Sequence, residues 1–324
     1  MMIDVIALGE LLIDFSCTGV DSDGYPTLAA HPGGAPANFL AALSRFGAKT
    51  AFLGKVGNDS FGKMLVHTLN EYKINTDGLI LSDDVFTTLA FVTLDTSGER
   101  EFSFARKPGA DTCISSEELR LDLIDECRVF HFGSLSLTDE PARTATRKAV
   151  AYAKDKGKLI TYDPNLRPPL WKDLSLAKEQ LLWGIEQADI VKISDEEVSF
   201  LFGASPEEGA RKILSMGSVR LVFVTCGAEG CFYQNQNACG HLPSLSNISV
   251  LDTTGAGDIF GGSALWKLLE RNKAPELLTK TELEEIVEFA CTGAALSTTK
   301  YGGISSIPEY HQILERMKQN GTSN

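Results

Sequence analysis

A chain of 324 residues, with 43% hydrophobic and 23% charged side chains, can bury a large core and has the composition of a globular α/β protein. Its formal net charge of −13 argues against nucleic acid or an anionic membrane as partner, because phosphate surfaces demand a basic face. Seven cysteines without a C-x-x-C pair read as reduced thiols, five histidines show no metal-ligand spacing, and no apolar run approaches membrane-spanning length. With no basic leader in Met1-Met2-Ile3-Asp4, the expectation is a cytoplasmic protein.

In chain order, residues 3–10 read as a buried first strand that 11–15 prolong, with Asp14 inside the apolar run. A carboxylate there is costly to bury without partners, so Asp14 is a candidate for binding hydroxyls; an edge-strand Asp facing water is the alternative. Pro32-Gly33-Gly34-Ala35 then precedes a helix with Pro36 in its first turn, an apolar face of Phe39, Leu40, Leu43 and Phe46, and Gly47 as its stop. The paired glycines suit close approach of a ligand to the backbone, or a hinge, and Asn38 can serve substrate or a neighbouring loop. Residues 57–63 nearly match the phosphate-loop pattern G-x-x-x-x-G-K-[ST]. Met64 stands where the metal-binding hydroxyl belongs, so the segment reads only as a helix entry.

Residues 87–94 and 101–106, joined by a turn at 95–98, predict a hairpin that breaks the βα rhythm and leaves the main sheet as a flap. Alternation puts Phe102, Phe104 and Arg106 on one face, as a wall over a polar ligand or as a frayed strand end. Ser115-x-x-Glu118 reads as a capping box before a helix. Strands at 129–133, 159–167, 189–193 and 221–225 then alternate with helices, among them 140–156. A short hairpin follows, and helices at 283–298 and 308–318 finish a single domain over 1–320, with 321–324 as a frayed tail. Repeated βα units mean a mostly parallel sheet with helices on both faces, which binds ligands along the carboxyl ends of its strands. Polar residues gather there: Asp14, Asn165, Arg167, Lys192, Glu197, Thr225 and Asp252.

The stretch Asp252-Thr253-Thr254-Gly255-Ala256-Gly257-Asp258 reads as a strand end at 248–251, a loop of small residues and a helix start. Amides of Gly255, Ala256, Gly257 and Asp258 would face outward at the positive end of the helix dipole and favour an anion. Asp258 would repel a phosphate there unless it has a proton to accept; the plainer reading is a helix cap. The combination suits phosphoryl transfer, with amides holding charge and a carboxylate taking a hydroxyl proton.

Gly33-Gly34-Ala35-Pro36-Ala37-Asn38, Tyr162-Asp163-Pro164-Asn165-Leu166-Arg167 and the 252–258 motif together resemble the ribokinase-like (pfkB) carbohydrate kinases over nearly the whole chain. Within that family the likeness is strongest to fructokinases, through residues 102–111, 163–171 and 192–197. The resemblance implies a three-layer α/β/α fold with a mostly parallel central sheet, and a small β-sheet lid from about 12–32 and 87–107 that also pairs two subunits. It implies ATP- and Mg²⁺-dependent phosphorylation of D-fructose at O6, with K⁺ beside the anion hole. Asp258 matches the base and Gly255, Ala256 and Gly257 the anion hole. Asp14, Gly33, Gly34, Asn38 and Arg106 match sugar contacts, and Arg167 a position near sugar and phosphate. Lys192, Thr225, Gly227 and Gly230 match the nucleotide site, and Asp252, Thr254, Ser297, Lys300, Gly302 and Ser306 the monovalent-cation loop.

The chain departs from the family at Ser194-Asp195-Glu196-Glu197, where many relatives have Asn-x-x-Glu assisting Mg²⁺; Glu197 can still order metal-bound water. Kinases of the same fold for 2-keto-3-deoxygluconate, ribose or an aminoimidazole riboside are the alternatives, with a sugar-binding regulator more remote. A keto acid would call for more cations than Arg106 and Arg167. A nicotinamide dehydrogenase is disfavoured, since Gly9-Glu10-Leu11-Leu12 does not supply G-x-G-x-x-G.

Overall fold

The computed structural model describes residues 2–94 and 100–321; the predicted turn at 95–98, the ring of Phe102 and residues 322–324 lie outside the described residues. The chain runs β1 (Ile3–Leu8), β2 (Leu12–Val20), β3 (Pro26–Gly33), α1 (Ala35–Arg45), β4 (Thr50–Gly57), α2 (Ser60–Glu71), β5 (Asn75–Ser82), β6 (Leu89–Leu94) and β7 (Arg100–Ala105). It continues with α3 (Leu121–Asp125), β8 (Cys127–Gly133), α4 (Ala142–Asp155), β9 (Leu159–Asp163), α5 (Leu174–Gln187), β10 (Ile190–Ser194), α6 (Asp195–Phe202), α7 (Pro206–Leu214) and β11 (Leu221–Thr225). The hairpin β12 (Cys231–Asn235) and β13 (Cys239–Leu242) precedes α8 (Ala256–Arg271), α9 (Lys280–Ser297) and α10 (Tyr310–Gly321).

Among the described residues the strands form two sheets, a nine-stranded one ordered β13-β12-β11-β10-β9-β8-β1-β4-β5 and a four-stranded one ordered β3-β2-β6-β7. From β11 to β5 every pairing in the large sheet is parallel, and the antiparallel pairings, β11 with β12 and β12 with β13, lie at one edge. Two apolar layers flank it, as a parallel sheet buried on both faces requires. One packs Phe39, Leu40, Phe260 and Phe289 against the sheet; the other packs Phe130, Phe132, Tyr162 and Leu181. Each such ring contributes about 1.5–3 kcal/mol by leaving water.

The chain lays β4 and β5 on one side of β1, then returns to place β8 on the other. The strand order therefore reverses at β1 and β8, and a crevice opens beyond their carboxyl ends.

Three expectations need correction. Residues 11–15 do not prolong the first strand: the chain leaves the large sheet after Leu8, and β2 starts the small sheet, where Asp14 pairs with His31 and Ala90. Residues 248–251 form no strand; Val250 and Leu251 are exposed, and the amides of Leu251 and Asp252 bond to the Thr298 carbonyl instead of a sheet neighbour. The Ser115–Glu118 box starts no helix. Glu118 accepts the Ser115 amide at 2.7 Å and pairs with Lys55 at 2.7 Å, which closes a turn, and α3 begins only at Leu121.

Candidate active site

The helix α8 decides where an anion can sit. Its N-cap is Gly255, at φ 75°, and no side chain caps it. A Cβ at Gly255 would lie 2.9 Å from the Gly303 Cα and 3.2 Å from Asn38 Nδ2, so the left-handed backbone and the close packing both demand glycine. At Gly257 a Cβ would stand 2.8 Å from Lys192 Nζ. The ammonium thus lies against the first turn of α8, where the dipole and uncapped amides already favour negative charge.

Asp258, in that first turn, faces Asn38 of α1, whose Nδ2 donates to its Oδ2 at 2.8 Å. Burial pushes the Asp258 carboxyl above its ordinary range, Lys192, Asn38 and Arg167 pull it back, and Glu197 opposes them. A carboxylate whose pKa is raised in this way is a stronger proton acceptor than an exposed one. Lys192 in turn bonds to Asp163 at 3.0 Å. Burial works against its charge, yet Asp163, Glu197 and Asp258 hold its pKa above the usual value, while burial and two carboxylate neighbours push Asp163 up as well. Both values rise, and the three surrounding carboxylates favour the charged ammonium.

Before this turn opens a cavity of about 840 Å³ at the carboxyl ends of β1 and β8. Asp14, Asn38, Phe104, Arg167, Lys192 and Asp258 line it, joined by Gly34 and Thr254. Two of these, Asp14 and Phe104, come from the small sheet, which forms the wall opposite α8. Burial pushes Asp14 up to about 7; Arg167 lowers it, and Asp258 and Asp252 raise it further. Arg167 therefore serves two carboxylates that stand on opposite walls.

The other expected residues are distributed less simply. Arg106 does not line the cavity: β7 ends at Ala105, alternation ends with it, and the guanidinium turns into the protein. It is buried, donates from Nε to Asp111 at 2.8 Å, from Nη1 to Thr138 at 2.9 Å and from Nη2 to the Leu135 carbonyl at 2.8 Å. Its place is behind the wall, holding Leu135, which does face the cavity. Gly33 also lies outside the lining; a Cβ there would strike the Asp14 carboxylate, and one at Gly34 would strike the Glu10 carbonyl. Both glycines let the chain pack closely on itself, and Gly34 alone of the pair also faces the cavity.

Thr225 ends β11, with Gly227 and Gly230 in the turn to β12, beyond the cavity lining. Gly227 has φ 53° with open space around it; Gly230 has φ 102°, and a Cβ there would collide with Leu242 and Pro243. Ala256 opens α8 without lining the cavity.

Ser194 caps α6 in a reciprocal box with Glu197: the Glu197 amide donates to Ser194 Oγ at 3.2 Å and the Ser194 amide to Glu197 Oε2 at 2.8 Å. Glu197 Oε1 accepts the Leu166 amide at 2.6 Å. Each oxygen keeps a lone pair, so the buried carboxylate fits contact with Mg²⁺ through water. Asp252 ties the 252–254 loop to the turn after α9. Its Oδ1 accepts the Thr254 hydroxyl at 2.7 Å and amide at 3.0 Å, and its Oδ2 accepts the Gly302 amide at 2.9 Å. Buried Ser297 donates to the Ala294 carbonyl in the last turn of α9, buried Ser306 donates to the Gly303 carbonyl in the turn beyond, and the Lys300 amide bonds to the Ser297 carbonyl. Carboxylate, hydroxyl and carbonyl oxygens form a hard donor set that fits an alkali cation.

Two contributors escape the pattern reading. Glu10, just past β1, faces the cavity, and burial pushes it up to about 7. Asp163, read only as part of a motif, holds Lys192. A charged residue two positions past a buried strand was the available signal for Glu10. His131 behaves as expected of a histidine without a role: it stacks on Phe39 at 3.8 Å, and burial lowers its pKa to about 3, leaving it neutral.

The chain is similar to known proteins over nearly its whole length. The chain is 41% identical over 318 residues to Fructokinase-1 of Zea mays, covering 97% of this chain and 98% of that protein. It superposes on the ATP-bound fructokinase of Xylella fastidiosa with a TM-score of 0.89, at 29% identity over 98% of this chain and 99% of the other. A fructokinase double mutant from Vibrio cholerae, bound to fructose, ADP and potassium ion, gives a TM-score of 0.84 at 29% identity over 97% and 98% of the two chains. With the model of the pfkB family carbohydrate kinases matching residues 2–310, the chain belongs to that family.

Proposed function

We propose that this protein transfers the γ-phosphoryl group of ATP to O6 of D-fructose, giving fructose 6-phosphate and ADP. The observation that carries the reading is Asp258: a carboxylate raised by burial, oriented by Asn38, in the uncapped first turn of α8 and facing the cavity. As the bond from O6 to phosphorus forms, the hydroxyl proton passes to Asp258 and the bond to the β-phosphate oxygen breaks. Amides of Gly255 and Gly257, with the Lys192 ammonium beside them, hold the charge of the group in transit; the Ala256 amide, expected to share that task, donates instead to the Thr253 carbonyl at 3.2 Å.

On this reading Asp14, Gly34, Asn38, Phe104 and Arg167 bind the sugar, with Arg106 and Gly33 supporting the wall. Thr225, Gly227 and Gly230 receive the nucleotide at the ends of β10 and β11. Glu197 would hold Mg²⁺ through water, and Asp252, Thr254, Ser297, Lys300, Gly302 and Ser306 would surround K⁺; the ions supply charge neutralisation for the phosphates. The four-stranded sheet acts as a lid on one kinase domain, excluding water when it closes.

The far end of the β2–β3 ribbon exposes Val20 and Tyr25, each 69% accessible, beside Leu28. An apolar edge of that kind favours pairing of two lids in a homodimer. Among the described residues no helix is long and apolar enough to cross a membrane, and the seven free cysteines fit a reducing cytoplasm.

The test is a steady-state panel at fixed ATP and Mg²⁺ with D-fructose, D-ribose, 2-keto-3-deoxygluconate and a nucleoside. Fructose is expected to give the highest kcat/KM, with phosphorus NMR placing the product ester on C6. Faster turnover of another acceptor would move the substrate assignment.

A further inference from the structure

We infer that Glu10 is a positioning residue for the catalytic carboxylate: it holds the first turn of α1 in the register that presents Asn38 to Asp258. The inference rests on the reading of Asp258 as the base.

The helix α1 lacks an ordinary cap. Its N-cap is Gly34, at φ 111°, with no side-chain hydrogen bond to the first turn. Glu10 supplies one from 25 residues away, its Oε1 accepting the Ala35 amide at 3.0 Å. The grip is double, because the Gly34 Cα packs so closely on the Glu10 carbonyl that a Cβ there would stand 2.5 Å from it. Glu10 lies two residues past the end of β1, at the point where the strand order reverses. A helix that moves relative to the sheet would have to break this contact first.

Asn38 has little freedom of its own. A Cβ on Gly255 would come within 3.2 Å of Asn38 Nδ2, and one on Gly303 within 2.7 Å of the same atom, so two glycine backbones clasp the amide. Its place is set by the clasp and by the axial position of α1, one turn of which separates Ala35 from Asn38. A displacement on the order of 1 Å at a reacting group can cost up to about 100-fold in rate.

The experiment compares E10L, E10Q, N38A and E10L/N38A in the full-length protein. Turnover is measured with fructose and ATP, fructose affinity by calorimetry, and folding by thermal unfolding. E10L removes the acceptor and is expected to lower kcat about tenfold, with KM for ATP changed less than about twofold. E10Q keeps a carbonyl oxygen for the Ala35 amide and is expected to restore kcat to within about threefold of the parent. The double variant is expected to fall little below N38A, because both changes release the same contact.

The inference is overturned if the E10L and N38A losses multiply, if E10Q is no better than E10L, or if E10L matches the parent. Should E10L fail to fold, A35P removes the donor instead, at a position where proline is tolerated, and the same coupling to N38A is required. Full turnover in D258N would sink the reading of the base. The same cycle read on fructose affinity would then still decide whether Glu10 acts through Asn38.

Discussion

The loop before α2 and the loop before α8 both carry glycine into a helix start, and they differ in what their helix ends do with free amides. Before α2, Asp59 accepts the Phe61 and Gly62 amides at 2.9 Å, and its other oxygen takes the Thr87 amide at 2.8 Å. The anion site there is filled by the protein's own carboxylate. Before α8 the acid lies inside the helix, at Asp258, and is turned toward Asn38. No side chain caps that helix, and a lysine stands over its first turn. A glycine-rich helix start is available to an external anion only when the chain directs its own acceptor elsewhere.

The largest effect that tests this contrast is D258N. It is expected to lower kcat by two or more decades with fructose affinity nearly unchanged, since it removes the proton acceptor and keeps the amide of similar shape. The parent kcat/KM is expected to fall on acidification through a pKa above the ordinary carboxylate range, because burial raises that group and only its ionised form is the base. A raised carboxyl pKa also means that ionisation at neutral pH costs stability, so D258N is expected to melt no lower than the parent. Retained turnover would make Asp258 an ordinary helix residue and erase the distinction between the loops.

A smaller effect is expected from G257A. The added methyl meets the Lys192 ammonium and must displace it, so kcat/KM for ATP should drop on the order of 10- to 100-fold while the protein still folds. An unaltered ATP profile would show that Lys192 has no part in holding phosphate.

D59A gives the smallest effect on activity and a plain one on stability. It removes a cap and is expected to cost about 1–2 kcal/mol, with kcat and both KM values unchanged. Although burial opposes it, bonding to the Thr87, Gly62 and Phe61 amides holds the Asp59 pKa below its ordinary value. Its stabilisation is therefore full above the unfolded carboxyl range and fades as pH falls through the depressed pKa. Melting curves of parent and variant should converge in acid; a constant gap would mean that the charge on Asp59 is irrelevant.

Much of this was legible in local pattern. The α1 stripe of Phe39, Leu40 and Leu43, the βα rhythm and the Gly-Ala-Gly-Asp turn each express a preference carried by neighbouring residues. The mismatch at Met64 likewise sufficed to reject the phosphate loop, and the cap on Asp59 supplies the physical reason. Where the reading went wrong, the deciding partner was distant. Arg106 shares a period with Phe104, but Asp111, Thr138 and Leu135 took its donors. Residues 248–251 have the composition of a strand, but the Thr298 carbonyl at the end of α9 takes the Leu251 amide. Ser194 through Glu197 has the spacing of a capping box as well as that of a metal motif, and the folded chain closes the box.

Spacing and composition alone determined the layered α/β architecture, the anion-binding turn and its acid, because periodicity and backbone freedom act within a few residues. Only the folded molecule decided which carboxylates face each other across the cavity, which arginine is spent inside the wall, and that Glu10 holds the helix carrying Asn38. Those outcomes depend on strand order and on contacts between segments far apart in the chain. Burial and hydrogen-bond competition select such contacts, and neither is defined until the layers close.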